Sequence, residues 1–268
     1  MMGAMDVLVR NNVQVHGGQG PPMVFSHGFG CDQNMWRFVW PEFAGEYRVV
    51  LFDHVGHGGA DASAFNRERY AGLDGYADDV LQILAALELD DVIFVGHSVS
   101  AMIGALASIR EPERFARLIM VGPSPRYVDD GDYRGGFSRA DIDELLGSLE
   151  SNYLGWSSAM APAIMGNPER PELAAELESS FCTTDPEIAK HFARVTFLSD
   201  NRADLPAVTT PSLVLQCRED AIAPVVVGEY VRDRLPDSSY ALLDATGHCP
   251  NLSAPEQTVA AMRAFLAA

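Results

Sequence analysis

The stretch Val92-Ile93-Phe94-Val95-Gly96-His97-Ser98-Val99-Ser100-Ala101-Met102 constrains the fold more than any other part of the chain. Its β-branched and aromatic run reads as a buried strand, the small residues after it as a sharp turn, and Ala101-Met102 as the opening of a helix. A serine at such a turn sits at the carboxyl edge of a sheet, in a strained backbone that tolerates only small neighbours two places before and after it. Gly96 and Ser100 fill those places. The common form of this elbow has glycine at the later position, so Ser100 reads as a tolerated departure. Taken alone, Ser98 also fits a helix N-cap. Its reading as a nucleophile therefore depends on what the other strand ends carry.

The remaining chain alternates in the same way. Met23–Ser26, Arg48–Phe52, Ile119–Val121, Ser212–Cys217 and Tyr240–Leu243 are short apolar runs that read as strands. Tyr76–Leu87, Met102–Ile109, Val226–Leu235 and Pro255–Leu266 carry apolar residues at helical spacing. Val7–Arg10 and Val13–His16, on either side of Asn11-Asn12, read as an opening hairpin. Together these predict an α/β protein with a doubly wound, mostly parallel, eight-stranded sheet. After the sixth strand about 90 residues pass without another, too many for an ordinary connection. Candidate helices Arg139–Asn152, Trp156–Met165, Pro171–Cys182 and Pro186–Phe197, divided by Gly155, Gly166-Asn167-Pro168 and Thr184-Asp185-Pro186, predict a four-helix cap there. The expected division is a core of residues 1–122 and 205–268 with a cap of residues 123–204.

A serine hydroxyl at its free pKa is a poor nucleophile and needs a histidine base steadied by a carboxylate. Asp220 follows the strand Ser212–Cys217 and His248 follows Tyr240–Leu243, in the chain order serine, aspartate, histidine. Glu219 is the rival carboxylate; Asp220 is preferred for its place before Ala221-Ile222-Ala223-Pro224. Negative charge developing on a substrate carbonyl needs two backbone N–H donors. Val99 supplies one by position, and the His27-Gly28-Phe29-Gly30 turn supplies the other from Phe29.

Other signals are discounted. His54-x-x-His57 lies in a glycine-rich loop with no third ligand at metal spacing. Cys249 adjoins the base without an elbow of its own and reads as packing. Of Tyr127, Phe137, Trp156, Phe181, Phe192 and Phe197, about half should face a pocket and the rest the cap's own core. No metal and no cofactor is called for. The 268 residues suit one large α/β domain. With 19 basic residues against 37 acidic ones the net charge is −18, which repels nucleic-acid backbones and anionic membrane surfaces. Four scattered cysteines, an opening segment without a basic and then apolar leader pattern, and no long apolar run predict a cytoplasmic protein with reduced thiols.

Five runs carry a family resemblance: His27 to Trp36, Gly96 to Met102, Gly122 to Tyr127, Phe181 to Pro186, and Gly247 to Ser253. The chain resembles the RsbQ-type α/β-hydrolases, bacterial activators of the general stress response related to the plant strigolactone and karrikin receptors. Gln216-Cys217 and Ala223-Pro224 lean to the bacterial side. The resemblance implies an α/β-hydrolase fold with Ser98, Asp220 and His248 as triad and Phe29 and Val99 as oxyanion donors. It also implies an apolar pocket walled by Phe29, His97, Tyr127, Phe137, Trp156 and Phe197. The implied activities are hydrolysis of a small ester or lactone, or slow hydrolysis that senses a small molecule and signals to a PAS-domain phosphatase.

Overall fold

In the computed structural model, which describes residues 4–268, the apolar runs become seven strands. They are β1 (Gln14–Gly17), β2 (Pro22–Ser26), β3 (Arg48–Phe52), β4 (Val92–His97), β5 (Phe115–Val121), β6 (Ser212–Glu219) and β7 (Ser238–Thr246). They form one sheet in the order β1-β3-β2-β4-β5-β6-β7. All neighbours are parallel except β1, which pairs antiparallel with β3 at the edge. This is the α/β-hydrolase fold.

The inner strands are mostly apolar because both faces of the sheet are covered, and the strand period of two divides their side chains between two cores. Met23, Phe25, Val49, Leu51, Ile93 and Val95 enter one; Val24, Val50, Phe52, Val92 and Phe94 enter the other. The second core is closed by α2 (Leu73–Ala86) and α3 (Val99–Arg110), which bring Tyr76, Val80, Ile83, Met102 and Ile103 against the sheet. Among the described residues no helix is long and apolar enough to cross a membrane.

One expectation fails at the amino end. Val7–Arg10 is not a strand but the end of α1 (Ala4–Arg10), and the pair Asn11-Asn12 closes a helix rather than a hairpin. Asn12 adopts φ 46°, the left-handed conformation that ends helices, and the N–H of Val13 returns to the Leu8 carbonyl at 2.9 Å. A tertiary contact supports the helix: Arg10 donates to the buried carboxylate of Asp79 at 2.7 Å, which also accepts from the Tyr70 hydroxyl. The sheet of the described residues therefore has seven strands, and the helical insertion follows the fifth.

That insertion contains α4 (Arg139–Ser151), α5 (Tyr153–Met165), α6 (Pro171–Thr183) and α7 (Pro186–Phe197). Ser138 and Asp141 form a reciprocal capping box on α4, and Asp185 caps α7 ahead of Pro186. Gly155, read as a separator, lies inside the first turn of α5 because the Asn152 side chain accepts its N–H at 3.0 Å and starts the helix early. After β6 the chain continues through α8 (Val225–Arg234), β7, α9 (Pro250–Ser253) and α10 (Pro255–Leu266).

Candidate active site

Three strand ends build the site. At the end of β4, Ser98 takes φ 55° and ψ −123°, a conformation that costs a non-glycine residue about 1–3 kcal/mol. Its N–H is held by the Val121 carbonyl at 2.8 Å. The turn is tight enough that a Cβ on Gly96 would lie 2.4 Å from the Ser100 carbonyl oxygen, so that place requires glycine. The turn thus lifts the serine side chain out of the line of the sheet.

Asp220 is the first residue beyond β6, and its Oδ1 accepts the N–H groups of Ile222 at 2.8 Å and Ala223 at 3.0 Å. Its Oδ2 lies 2.8 Å from His248 Nδ1, and His248 Nε2 lies 2.8 Å from Ser98 Oγ. The carboxylate can only accept, so Nδ1 carries the proton and Nε2 offers its lone pair to the serine O–H. Burial alone would raise the Asp220 carboxyl, but His248 and the two N–H donors outweigh it and hold it below its ordinary value. The rival Glu219 lies on the exposed side, where its carboxylate accepts from the Thr246 hydroxyl at 3.2 Å. The backbone of the histidine is fixed as well: its N–H donates to the Ile164 carbonyl of α5 at 2.8 Å and its own carbonyl accepts from His97 Nε2 at 2.7 Å. Burial and the neighbouring His248 push His97 down to about 3, so it donates there as a neutral ring.

Phe29 and Val99 are the expected oxyanion donors. Val99 opens α3, and a first-turn N–H has no acceptor within its own helix. Phe29 follows Gly28, which lies so close to the elbow that an added Cβ would stand 2.5 Å from His97 Nδ1 and 3.3 Å from the Ser98 Cβ. The Phe29 N–H finds no backbone acceptor among the described residues.

Above the serine lies an apolar cavity of about 30 Å³, room for about two waters. Of the expected wall residues Phe29, His97, Tyr127 and Phe197 line it, and Tyr127 brings its hydroxyl to 3.4 Å from Ser98 Oγ. Trp156 and Phe137 do not. Trp156 stands one layer back, its ring against Phe29 at 6.0 Å and Phe181 at 5.3 Å. Phe137 donates its N–H to the Tyr127 carbonyl at 3.2 Å and pairs with Val128 in an isolated bridge, which holds it behind Tyr127. Phe181 reaches the cavity, whereas Phe192 packs on His57 and Tyr76. The wall also contains Cys31, Ile164, Leu177, Thr196, Ile222 and Cys249, none of them singled out for it by the sequence. Ile164, Leu177 and Thr196 belong to apolar helix faces whose direction is set only by packing. Burial pushes the Cys249 thiol well above its ordinary value, which suits packing rather than reactivity.

His54 and His57 lie buried within an aromatic cluster that includes His27 and Phe192. No group of three metal-ligating side chains occurs among the described residues. A more open depression of about 490 Å³, between Arg67, Leu106 and Arg194, contains none of the triad, oxyanion or cavity residues.

A buried serine, histidine and aspartate joined in series at the carboxyl edge of a doubly wound sheet form the constellation of the serine hydrolases. The chain belongs to the alpha/beta hydrolase family, whose model matches residues 23–261. It is 42% identical over 248 residues to a probable esterase of Oryza sativa subsp. japonica, spanning 92% of each chain. It is 39% identical over 266 residues to a strigolactone esterase of Arabidopsis thaliana, spanning 99% of each. A hydrolase from Oleispira antarctica superposes with a TM-score of 0.96 at 42% identity, covering 98% of this chain and 97% of that one.

Proposed function

We propose that this protein is a serine hydrolase of small apolar esters or lactones, working through an acyl-enzyme on Ser98. The observation that carries the proposal is the unbroken series Asp220–His248–Ser98, with both contacts at 2.8 Å, opening on an apolar cavity. Ser98 Oγ attacks the carbonyl carbon as His248 Nε2 takes its proton, and Asp220 stabilises the imidazolium. The N–H groups of Phe29 and Val99 receive the oxyanion. Collapse of the tetrahedral intermediate expels the alkoxide, which takes the proton back from His248. A water deprotonated by the same nitrogen then releases the acid. Residues 123–204 act as a cap on a core of residues 1–122 and 205–268, and its helices exclude bulk water from the acyl group. The protein works in the cytoplasm.

A second reading is a sensor of the RsbQ type, in which one slow hydrolysis signals to a partner phosphatase of a stress pathway. Two observations favour it: the cavity of about 30 Å³ is small for rapid turnover of a bulky ester, and a relative 39% identical over 250 residues is the karrikin insensitive 2 receptor CA of Petunia hybrida. A stopped-flow course of p-nitrophenyl acetate and butyrate hydrolysis separates the two. Sustained turnover near 1 s⁻¹ or faster, on the order of ordinary enzymes, supports the hydrolase. A single stoichiometric burst followed by silence supports the sensor, and no release above the Ser98→Ala background removes both.

A further inference from the structure

Ser100 occupies the elbow place that is commonly glycine, and its hydroxyl is not idle. The side chain is fully buried and uses its whole hydrogen-bonding capacity: it donates to the His27 carbonyl at 2.5 Å and accepts from Ser26 Oγ and His54 Nε2, each at 2.9 Å. Burial, reinforced by the neighbouring rings of His27 and His57, keeps His54 neutral. With the Ser100 hydroxyl proton given to His27, a proton on His54 Nε2 satisfies the contact to Ser100; that nitrogen also lies 3.2 Å from Ser26 Oγ, and Nδ1 has no partner among the described residues.

The bond to His27 joins two elements that have no covalent reason to hold a set distance. Ser100 is one residue after Val99, at the start of α3; His27 is two residues before Phe29, in the turn after β2. A second link continues the first. The N–H of His54 donates to His27 Nε2 at 3.0 Å, which leaves the proton of that ring on Nδ1, and Nδ1 donates to the Gly28 carbonyl at 2.9 Å. That carbonyl belongs to the same planar peptide as the Phe29 N–H, and in a trans peptide the two point in opposite directions. Holding the carbonyl toward the His27 ring aims the N–H the other way.

We infer that Ser100 is a positioning residue for the oxyanion site: its hydroxyl ties the His27-Gly28-Phe29 turn to the start of α3 and so sets the Phe29 and Val99 N–H donors relative to one another. This inference rests on the reading of Ser98 as nucleophile and of those two N–H groups as its oxyanion donors. Complete loss of one oxyanion donor costs about 10²–10³ in rate in studied enzymes, so a loosened pair of donors should cost less, about tenfold.

The test compares Ser100→Ala and Ser100→Gly with the parent and with Ser98→Ala, using p-nitrophenyl acetate as substrate, ethylboronic acid as a tetrahedral adduct former and acetate as a planar ligand. Both Ser100 variants should lose about tenfold in kcat with KM within about twofold, and lose affinity for ethylboronic acid by the same factor while acetate binding stays within about twofold. Ser100→Gly, which restores the common elbow residue, carries the test if Ser100→Ala does not fold. Unchanged kcat and unchanged boronate affinity, or a loss confined to KM, overturns the inference. Turnover that persists in Ser98→Ala overturns instead the reading on which it rests.

Discussion

Three buried histidines make the folded state sensitive to mild acid. Burial, with His27 adding to it, pushes His57 down to about 3 and His54 well below its ordinary value; burial and His248 push His97 down to about 3. In the unfolded chain each titrates near 6.5. Below that pH the unfolded chain therefore binds protons that the folded one refuses, and stability falls as pH falls. At pH 7.5 the loss is about 0.1 kcal/mol per histidine or less; at pH 5.5 it is about 1.4 kcal/mol each, or about 4 kcal/mol for the three. Carboxylates contribute little in this window. Asp220, whose folded value is depressed, gives stability that is present above the unfolded carboxyl range near 3.9 and is lost only as pH falls through its folded value. A loss of about 4 kcal/mol is a large part of the roughly 5–15 kcal/mol typical of a domain. Urea unfolding at pH 7.5 and 5.5 should show it as a midpoint lowered by more than about 1 M for a slope near 3 kcal/mol/M. His57→Phe should reduce the pH slope by about one proton. A loss under about 1 kcal/mol between the two pH values would refute the argument that these rings are buried as neutral groups.

Asp220→Asn should lower kcat by about 10⁴ by favouring the wrong histidine tautomer, whereas Glu219→Gln should stay within about twofold; steady-state ester kinetics checks both. Gly96→Ala places a Cβ 2.4 Å from the Ser100 carbonyl oxygen, so the elbow must shift, and thermal unfolding should show a loss of about 1–3 kcal/mol. Thr196 lines the cavity with a buried hydroxyl that has no partner among the described residues. Thr196→Val should therefore gain about 1 kcal/mol in chemical denaturation, and a clear loss would mean that the hydroxyl has a partner.

Much of this is legible in the sequence for a simple reason: strands covered on both faces must be largely apolar, and Val49–Phe52 and Val92–Val95 are unbroken apolar runs. Inserted helices with strong local punctuation are equally plain, and Asp185-Pro186 marks the start of α7 to the residue. The triad residues are readable because each follows an apolar run, although the strands themselves extend two or three residues further than those runs, to His97, Glu219 and Thr246. What the sequence conceals depends on long-range packing. Val7–Arg10 alternates like a strand, yet Arg10 reaches Asp79, 69 positions away, and the segment coils to make that contact. Trp156 and Phe181 are both aromatic residues of the inserted helices, but only Phe181 meets the cavity, because the rotation of α5 and α6 about their own axes is settled by each other. Ser100 reads as a small residue tolerated for its size; its three hydrogen-bond partners lie 46 to 74 positions before it in the chain and meet it only once β2, β3 and α3 are side by side.

The central claim is that Ser98 carries the acyl group. Acid-quenching the protein within the first turnover of p-nitrophenyl acetate and mapping the acetyl group by peptide mass spectrometry tests it directly. The account requires the acetyl group on Ser98 in the parent and no acetylated peptide in Ser98→Ala. Acetyl on another residue, or hydrolysis with no acyl-enzyme in the parent and unchanged turnover in Ser98→Ala, would contradict it.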